Sequence, residues 1–171
     1  DPTFAHVTEG AEVLRAAGCT AIVAVGGGSS MDSAKIIACT RTSDDSPDKW
    51  VGLNKVPDDV LPIYAIPTTS GTGSEATMGA VIKDPEEKLK HIIVGENLLP
   101  QAVALDPDLL LGLPAPVTAA TGIDALTHGI EAYICIWDRG TRKENGRLAI
   151  QGVFRWLERA VQHPEDVEAR Q

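Results

Sequence analysis

Residues 20–35 read TAIVAVGGGSSMDSAK, and this stretch decides the fold. TAIVAV (20–25) is a short β-branched apolar run, the kind that fills a buried strand of a parallel sheet. It passes into Gly26-Gly27-Gly28-Ser29, after which SMDSAKIIACT (30–40) reads as a helix. Ahead of the strand, AHVTEGAEVLRAAG (5–18) sets Val7, Ala11, Leu14 and Ala17 at helical spacing, with Gly18 as the stop. Helix, strand, glycine turn and helix in succession make half of a doubly wound α/β pattern.

Further along, residues 41–60 are polar with scattered proline and read as a loop around a short helix at 47–52. LPIYAIP (61–67) is expected as a second buried strand, stopped by Pro67 and followed by TTSGTGSEAT. AVIK (80–83) and HIIV (91–94) flank the charged DPEEKLK and predict a hairpin or two short strands. VALD (103–106) is expected as the last strand, ending at the turn-prone pair Asp106-Pro107. From Pro114 the pattern becomes helical. Val117, Ala120, Ile123, Leu126, Ile130 and Ile134 share a face over 116–137, and 142–162 forms a second amphipathic helix. The expected organisation is an α/β part over 1–113 and an all-helical part over 114–171, with no internal repeat.

The 171 residues carry 15 Lys+Arg against 24 Asp+Glu, a net charge of −9, with a pI near 4.8. That balance excludes nucleic acid and anionic membrane surfaces as partners held by bulk charge. No apolar run approaches the ~18 residues that cross a bilayer. The opening DPTFAHVTEG lacks the basic start and apolar stretch of a signal peptide. Cys19, Cys39 and Cys135 are odd in number and widely spaced, which suits reduced thiols in a cytoplasmic protein. Without an initiator Met, the chain is expected to start inside a longer reading frame or after processing.

Three constellations carry chemistry. Gly26 to Ser29, between strand and helix, lets backbone approach an anion at a helix N-terminus, although a tight ligand-free turn has the same pattern. It is neither a Walker A loop nor G-x-G-x-x-G. Pro67-Thr68-Thr69-Ser70-Gly71-Thr72-Gly73-Ser74-Glu75 puts five hydroxyls and two glycines just past a strand, where ligands of open α/β sheets bind. A generic loop shares that composition. Asp124 and His128 are four apart, so on one helix face they reach a common ion, and a carboxylate with an imidazole suits Fe(II) or Zn(II). The alternative is Asp124 as a helix cap and His128 as an ordinary polar side chain. His6, His91 and His163 show no ligand spacing. The tail HPEDVEAR reads as a solvated helix or its first turn, and Glu86, Glu87, Lys88 and Lys90 as solvent-facing.

In this order and spacing, GGGSSMDSAK (26–35), PTTSGTGSE (67–75), LLPQAVALDPDLLLGLP (98–114) and TGIDALTHGIEAY (121–133) resemble the iron-containing (group III) alcohol dehydrogenases. The resemblance covers almost the whole chain. It implies a Rossmann-like nucleotide-binding part followed by the start of a helical metal-binding domain, the dehydroquinate synthase-like architecture, incomplete at both ends. It implies an oxidoreductase that interconverts small alcohols and aldehydes or ketones with NAD or NADP, using Fe(II) or alternatively Zn(II). Carried over residue by residue, Gly27, Gly28 and Ser29 hold the pyrophosphate. Thr68, Thr69, Thr72, Thr77 and Val81 lie along the cofactor, Lys90 contacts its ribose, and Asp124 and His128 are metal ligands.

Departures from the family pattern shape these expectations. Ser30 stands where proline is usual, the family's further metal-binding histidines lie beyond this chain, and His163 is not in their context. The chain is therefore expected to be a central fragment, with faces normally covered left exposed and little turnover alone. The longer protein is expected to be a homo-oligomer. A glycerol dehydrogenase-like or maleylacetate reductase-like relative is the nearest alternative, and a non-catalytic nucleotide-binding module the more distant one. PTTSGTGSE and DALTHGIEAY favour the alcohol dehydrogenase branch.

Overall fold

Helix α1 (Phe4–Ala17) begins with a reciprocal cap: Thr3 Oγ1 accepts from the His6 N–H, and the Thr3 N–H donates to His6 Nδ1 at 3.2 Å. It ends at Gly18, whose φ of 63° is the left-handed stop that the sequence placed there. These coordinates come from a computed structural model that describes residues 1–43, 45–137 and 140–171. The chain divides into two compact units, one of Asp1–Pro67 with Ser74–Leu105, the other of Thr68–Gly73 with Asp106–Gln171.

In the first unit α1 is followed by β1 (Ile22–Gly26), α2 (Gly28–Cys39), a 3-10 turn at Pro47–Trp50 and β2 (Gly52–Leu53). Then come β3 (Ile63–Pro67), β4 (Gly79–Asp84), β5 (Leu89–Val94) and β6 (Ala102–Val103). Strands β1, β3 and β6 form a parallel sheet with β3 in the middle, Ala24 registering on Ala65 and Ala65 on Val103. Strands β2, β5 and β4 form a second sheet, β4 and β5 antiparallel as the hairpin reading expected.

Two strand expectations need correction. TAIVAV was expected to be buried, but Val23 and Val25 are 60% and 56% exposed. Only the face carrying Ala24 and Ala65 is covered, by Met31 and Ala34 of α2. The last strand also stops at Val103 rather than 106. Asp106 instead caps the following 3-10 turn, Pro107–Leu110, its carboxylate accepting the Asp108 N–H at 3.0 Å. The short helix expected over 47–52 stops at Trp50, and Gly52 with Leu53 forms β2, too short for an alternation to show in sequence.

The main core cluster of this unit is Val7, Ile36, Cys39, Trp50, Ala80, Ile82, Ile93 and Leu98, drawn from α1, α2, the β4–β5 hairpin and the 3-10 turns Pro47–Trp50 and Glu96–Leu98. Ile36, Ile82, Ile93 and Leu98 have no exposed surface. Each such side chain is worth about 1.5–3 kcal/mol over its solvated form, so this packing fixes where α2 lies on the hairpin.

The second unit holds α3 (Ala115–Ile134), α4 (Thr141–Gln162) and α5 (Val167–Arg170). Helices α3 and α4 pack where glycines bring backbones together. A Cβ on Gly146 would lie 2.7 Å from Gly129 O, and one on Gly122 would lie 2.2 Å from Leu157 Cδ1. The acidic tail is less solvated than expected. Arg170 is 6% exposed and donates to Thr118 Oγ1 at 2.7 Å and to Pro164 O at 3.2 Å, so α5 is tied down by a charged residue turned inward. Among the described residues no helix is long and apolar enough to cross a membrane.

Candidate functional site

The glycine run works through backbone conformation. Gly26 ends β1 at a φ of 147°, a region that a side chain strains to enter, and Gly27 becomes the N-cap of α2. Gly28 and Ser29 therefore lie in the first helical turn, two residues before the expected start at 30. No side chain caps this end and no acidic residue occupies its first turn. Backbone N–H groups at the positive end of a helix dipole, beside glycines, suit a phosphate.

Further into α2 the side chains take over. Asp32 accepts from Ser74 Oγ at 2.7 Å through Oδ1 and from the Val81 N–H at 3.0 Å through Oδ2. One turn on, Lys35 is fully buried, and its Nζ donates to Ser74 Oγ (3.0 Å), Thr77 O (2.9 Å), Thr77 Oγ1 (3.1 Å) and Gly79 O (2.7 Å). Burial lowers its ammonium pKa to about 8 against the attraction of Asp32 and Glu75. Thr77 and Val81, expected along a cofactor, are thus held by α2. Lys90 is exposed and its Nζ lies 3.0 Å from Asp1.

In the second unit Thr68–Gly73 runs against α3. Gly71, at a φ of 148°, sits so close that a Cβ would lie 1.8 Å from Thr121 O, and a Cβ on Gly73 would lie 4.0 Å from His128 Nδ1. On that stretch of α3, Asp124 Oδ1 and His128 Nε2 are 3.8 Å apart, each side chain about half exposed. Asp124 sits in the middle of Ala115–Ile134, which rules out the helix-cap alternative. The pair fits a metal. A carboxylate oxygen and an imidazole nitrogen each bind Zn(II) at about 2.0–2.2 Å, which one ion can satisfy across this gap. Thr69 Oγ1 is buried and has no hydrogen-bond partner among the described residues, an orphan that a bound ligand would satisfy.

The sequence profile described as iron-containing alcohol dehydrogenase matches residues 1–107. The chain belongs to that family. It is 40% identical to the NAD-dependent methanol dehydrogenase of Bacillus methanolicus over 174 aligned residues, covering 100% of this chain and 45% of that protein. Its structure superposes on 1,3-propanediol oxidoreductase with a TM-score of 0.94 at 38% identity, over 99% of this chain and 44% of the other. A sulfoacetaldehyde reductase from Bifidobacterium kashiwanohense, solved in complex with NAD+, superposes with a TM-score of 0.94 at 36% identity, over 99% and 45%. The chain therefore spans less than half the length of these relatives. Its architecture is the Rossmann-like, dehydroquinate synthase-like one that the motifs implied.

Two features of this iron-containing alcohol dehydrogenase chain escaped the sequence reading. Asp32 and Lys35 lie inside GGGSSMDSAK, and their i, i+3 spacing just past the glycine turn was the available signal. The hairpin also gathers Asp84, Glu87 and His91, with His91 Nε2 3.4 Å from Glu87 Oε2 and 4.0 Å from Asp84 Oδ2. Only the antiparallel fold brings them together. A cavity of about 210 Å³ in the second unit, walled by Trp156, Leu157 and Arg170, includes neither Asp124 nor His128 in its lining.

Proposed function

We propose that the protein carrying this chain is an NAD(P)-linked dehydrogenase that interconverts small alcohols with aldehydes or ketones. The observation that carries this reading is the pairing of Asp124 with His128 on α3, beside the glycine-rich loop of Thr68–Gly73. Residues 1–113 supply most of the nucleotide contacts and residues 114–171 begin the metal-binding domain.

Asp124 and His128 hold a divalent cation, Fe(II) or alternatively Zn(II). When bound, that cation acts as a Lewis acid toward negative charge on the substrate oxygen. The two ligands come from consecutive turns of one helix, so α3 sets their spacing, and its packing on α4 sets their orientation. Gly27, Gly28 and Ser29 receive the pyrophosphate with backbone N–H groups. Thr68, Thr69 and Thr72 face the cofactor from the loop, with the buried Thr69 hydroxyl as the donor in want of an acceptor. Thr77, just before β4, and Val81, within it, are further cofactor contacts, and Lys90 on β5 reaches its ribose. The nicotinamide supplies the hydride chemistry, and the protein's part is to orient and to exclude water. The NAD+-bound relative supports NAD as the cofactor, and the methanol and propanediol names of others support a short alcohol.

The test is NADH formation from short primary alcohols by the protein carrying this chain, after chelation and then with Fe(II) or Zn(II) restored. Turnover that returns with the cation supports the reading. Absence of turnover with every alcohol and cation, in a protein shown to be folded, overturns it.

A further inference from the structure

Lys35 does not fit the role of an exposed phosphate-binding lysine. The side chain has no exposed surface, and its Nζ has four acceptors within 3.1 Å, all on Ser74–Gly79. An ammonium carries three protons, so four acceptors already exceed its capacity for direct bonds, and no donor remains for a ligand. Asp32, one turn earlier on α2, completes the arrangement. Ser74 Oγ receives a hydrogen bond from Lys35 and gives one to Asp32, while the other Asp32 oxygen takes the Val81 N–H. The helix that begins at Gly28 therefore grips the segment from Ser74 to Val81 at both ends.

We propose that Lys35, seconded by Asp32, is a positioning residue that locks the Ser74–Val81 segment onto α2, so that Thr77 and Val81 keep a fixed offset from the anion-binding end of that helix. Lys35 touches neither cofactor nor substrate and acts through the segment alone. The proposal rests on the cofactor reading above, since the locked segment matters to function only if Thr77 and Val81 face the nucleotide. Its physical basis is the difference in cost between ordered and mobile contacts. A loop already held in its bound conformation does not give up conformational freedom when the ligand arrives. A buried, hydrogen-bonded clasp is a stiff way to hold it, because water does not compete for these hydrogen bonds.

The charged groups facing the ammonium are Asp32 from its own helix and Glu75 from the clasped segment. Both favour keeping the third proton on the ammonium, and burial opposes them. The ammonium, already destabilised by burial, gives up that proton near pH 8. Opening the segment would return the amine to water and to its ordinary pKa of 10.5, so raising the pH above about 8 favours the closed clasp.

The experiment compares wild type with Lys35→Met and Ser74→Ala in the protein carrying this chain. Amide hydrogen exchange is followed without ligand, and NADH affinity is measured from pH 7 to pH 9.5. For Lys35→Met, exchange across Ser74–Val81 is expected to accelerate by about tenfold or more while β1 and α3 are unchanged. NADH affinity is expected to fall by about tenfold at pH 7, a loss that belongs in KM for the nucleotide and not in kcat at saturation. Wild-type affinity is expected to rise relative to that of Lys35→Met as the pH passes above about 8, because the closed clasp is then favoured. Ser74→Ala removes the two hydrogen bonds of the Ser74 hydroxyl, to Lys35 and to Asp32, but leaves those of Lys35 to Thr77 and Gly79, and is expected to reproduce the exchange effect in weaker form even if Lys35→Met fails to fold.

Unchanged exchange across Ser74–Val81 in a folded Lys35→Met or Ser74→Ala protein overturns the clasp, whatever NADH does. Accelerated exchange with unchanged NADH affinity overturns the positioning role. If wild type binds no NADH but the exchange result holds, the clasp stands and the cofactor reading is what fails.

Discussion

Gly146 and Gly152 lie on the same helix, α4, and the same substitution is expected to have opposite effects on them. Replacing an interior helical glycine with alanine gains about 0.5–1 kcal/mol from backbone propensity alone. That gain is common to both sites. At Gly152 nothing lies within 4 Å of the new methyl, so Gly152→Ala keeps the gain. At Gly146 the methyl would lie 2.7 Å from Gly129 O, 2.9 Å from Tyr133 N and 3.2 Å from the Ala132 Cβ. Two of those atoms are backbone of α3 and cannot swing aside, so the helices must separate. Overpacking of this kind costs about 1–3 kcal/mol, and the separation loosens every other α3–α4 contact at the crossing. Subtracting the two variants cancels propensity and isolates the contact, leaving a difference of about 1–3 kcal/mol. The assay is urea unfolding followed by circular dichroism. With a slope of about 1–3 kcal/mol per molar urea, the midpoints are expected to separate by about 1 M, Gly152→Ala above wild type and Gly146→Ala below. Coincident midpoints, or Gly146→Ala the more stable of the two, would refute the close crossing that orients Asp124 and His128.

Three further outcomes follow from the same structure. Gly71→Ala places a methyl 1.8 Å from Thr121 O at a φ of 148° and is expected to cost about 2–5 kcal/mol, whereas Gly112→Ala, with nothing within 4 Å, is neutral; thermal unfolding of the two variants decides this. Because burial lowers Lys35 from 10.5 to about 8, the unfolded chain holds a proton between those pH values that the folded chain has released. Lys35 therefore adds stability as pH rises from about 8 to 10.5, by roughly 3 kcal/mol at full extent, and that stability is lost again as pH falls through 8; the wild-type minus Lys35→Met difference in unfolding free energy should climb across this window, and a flat difference counts against a buried cation. Cys39 is fully buried with its thiol pushed up to about 12, so thiol reagents should label Cys19 and Cys135 and reach Cys39 only in denaturant.

The parts of the fold that could be read from sequence are those whose signal is local. Gly18 ends α1 because a left-handed residue is needed there, and the apolar periodicity of Val117 to Ile134 needs only its own helix to make sense. The hairpin was visible because its two apolar arms flank a charged turn. Features that depend on distant partners were hidden. Val23 and Val25 look like core residues in a β-branched run, and only the completed sheet shows that one face has no cover. Arg170 sits in an acidic, polar tail, and nothing near it in sequence announces that Thr118 takes its guanidinium. Lys35 is the clearest case. Nothing in its local sequence gives Lys35 a role, and only the path of Ser74–Gly79 over α2 makes it a clasp. Within the candidate site, Asp124 and His128 were legible because their spacing and their face belong to one helix. The proximity of Gly73 to His128 was not, because it depends on how a loop crosses that helix.

Most directly, the central claim is tested by the metal content of the protein carrying this chain, measured by elemental analysis after loading with Fe(II) or Zn(II) and removing the excess, for wild type and for His128→Ala. Retention of the cation by wild type, with loss of both the cation and alcohol-driven NADH formation in His128→Ala, is the expected result. Equal metal retention and equal activity in the two proteins would contradict it.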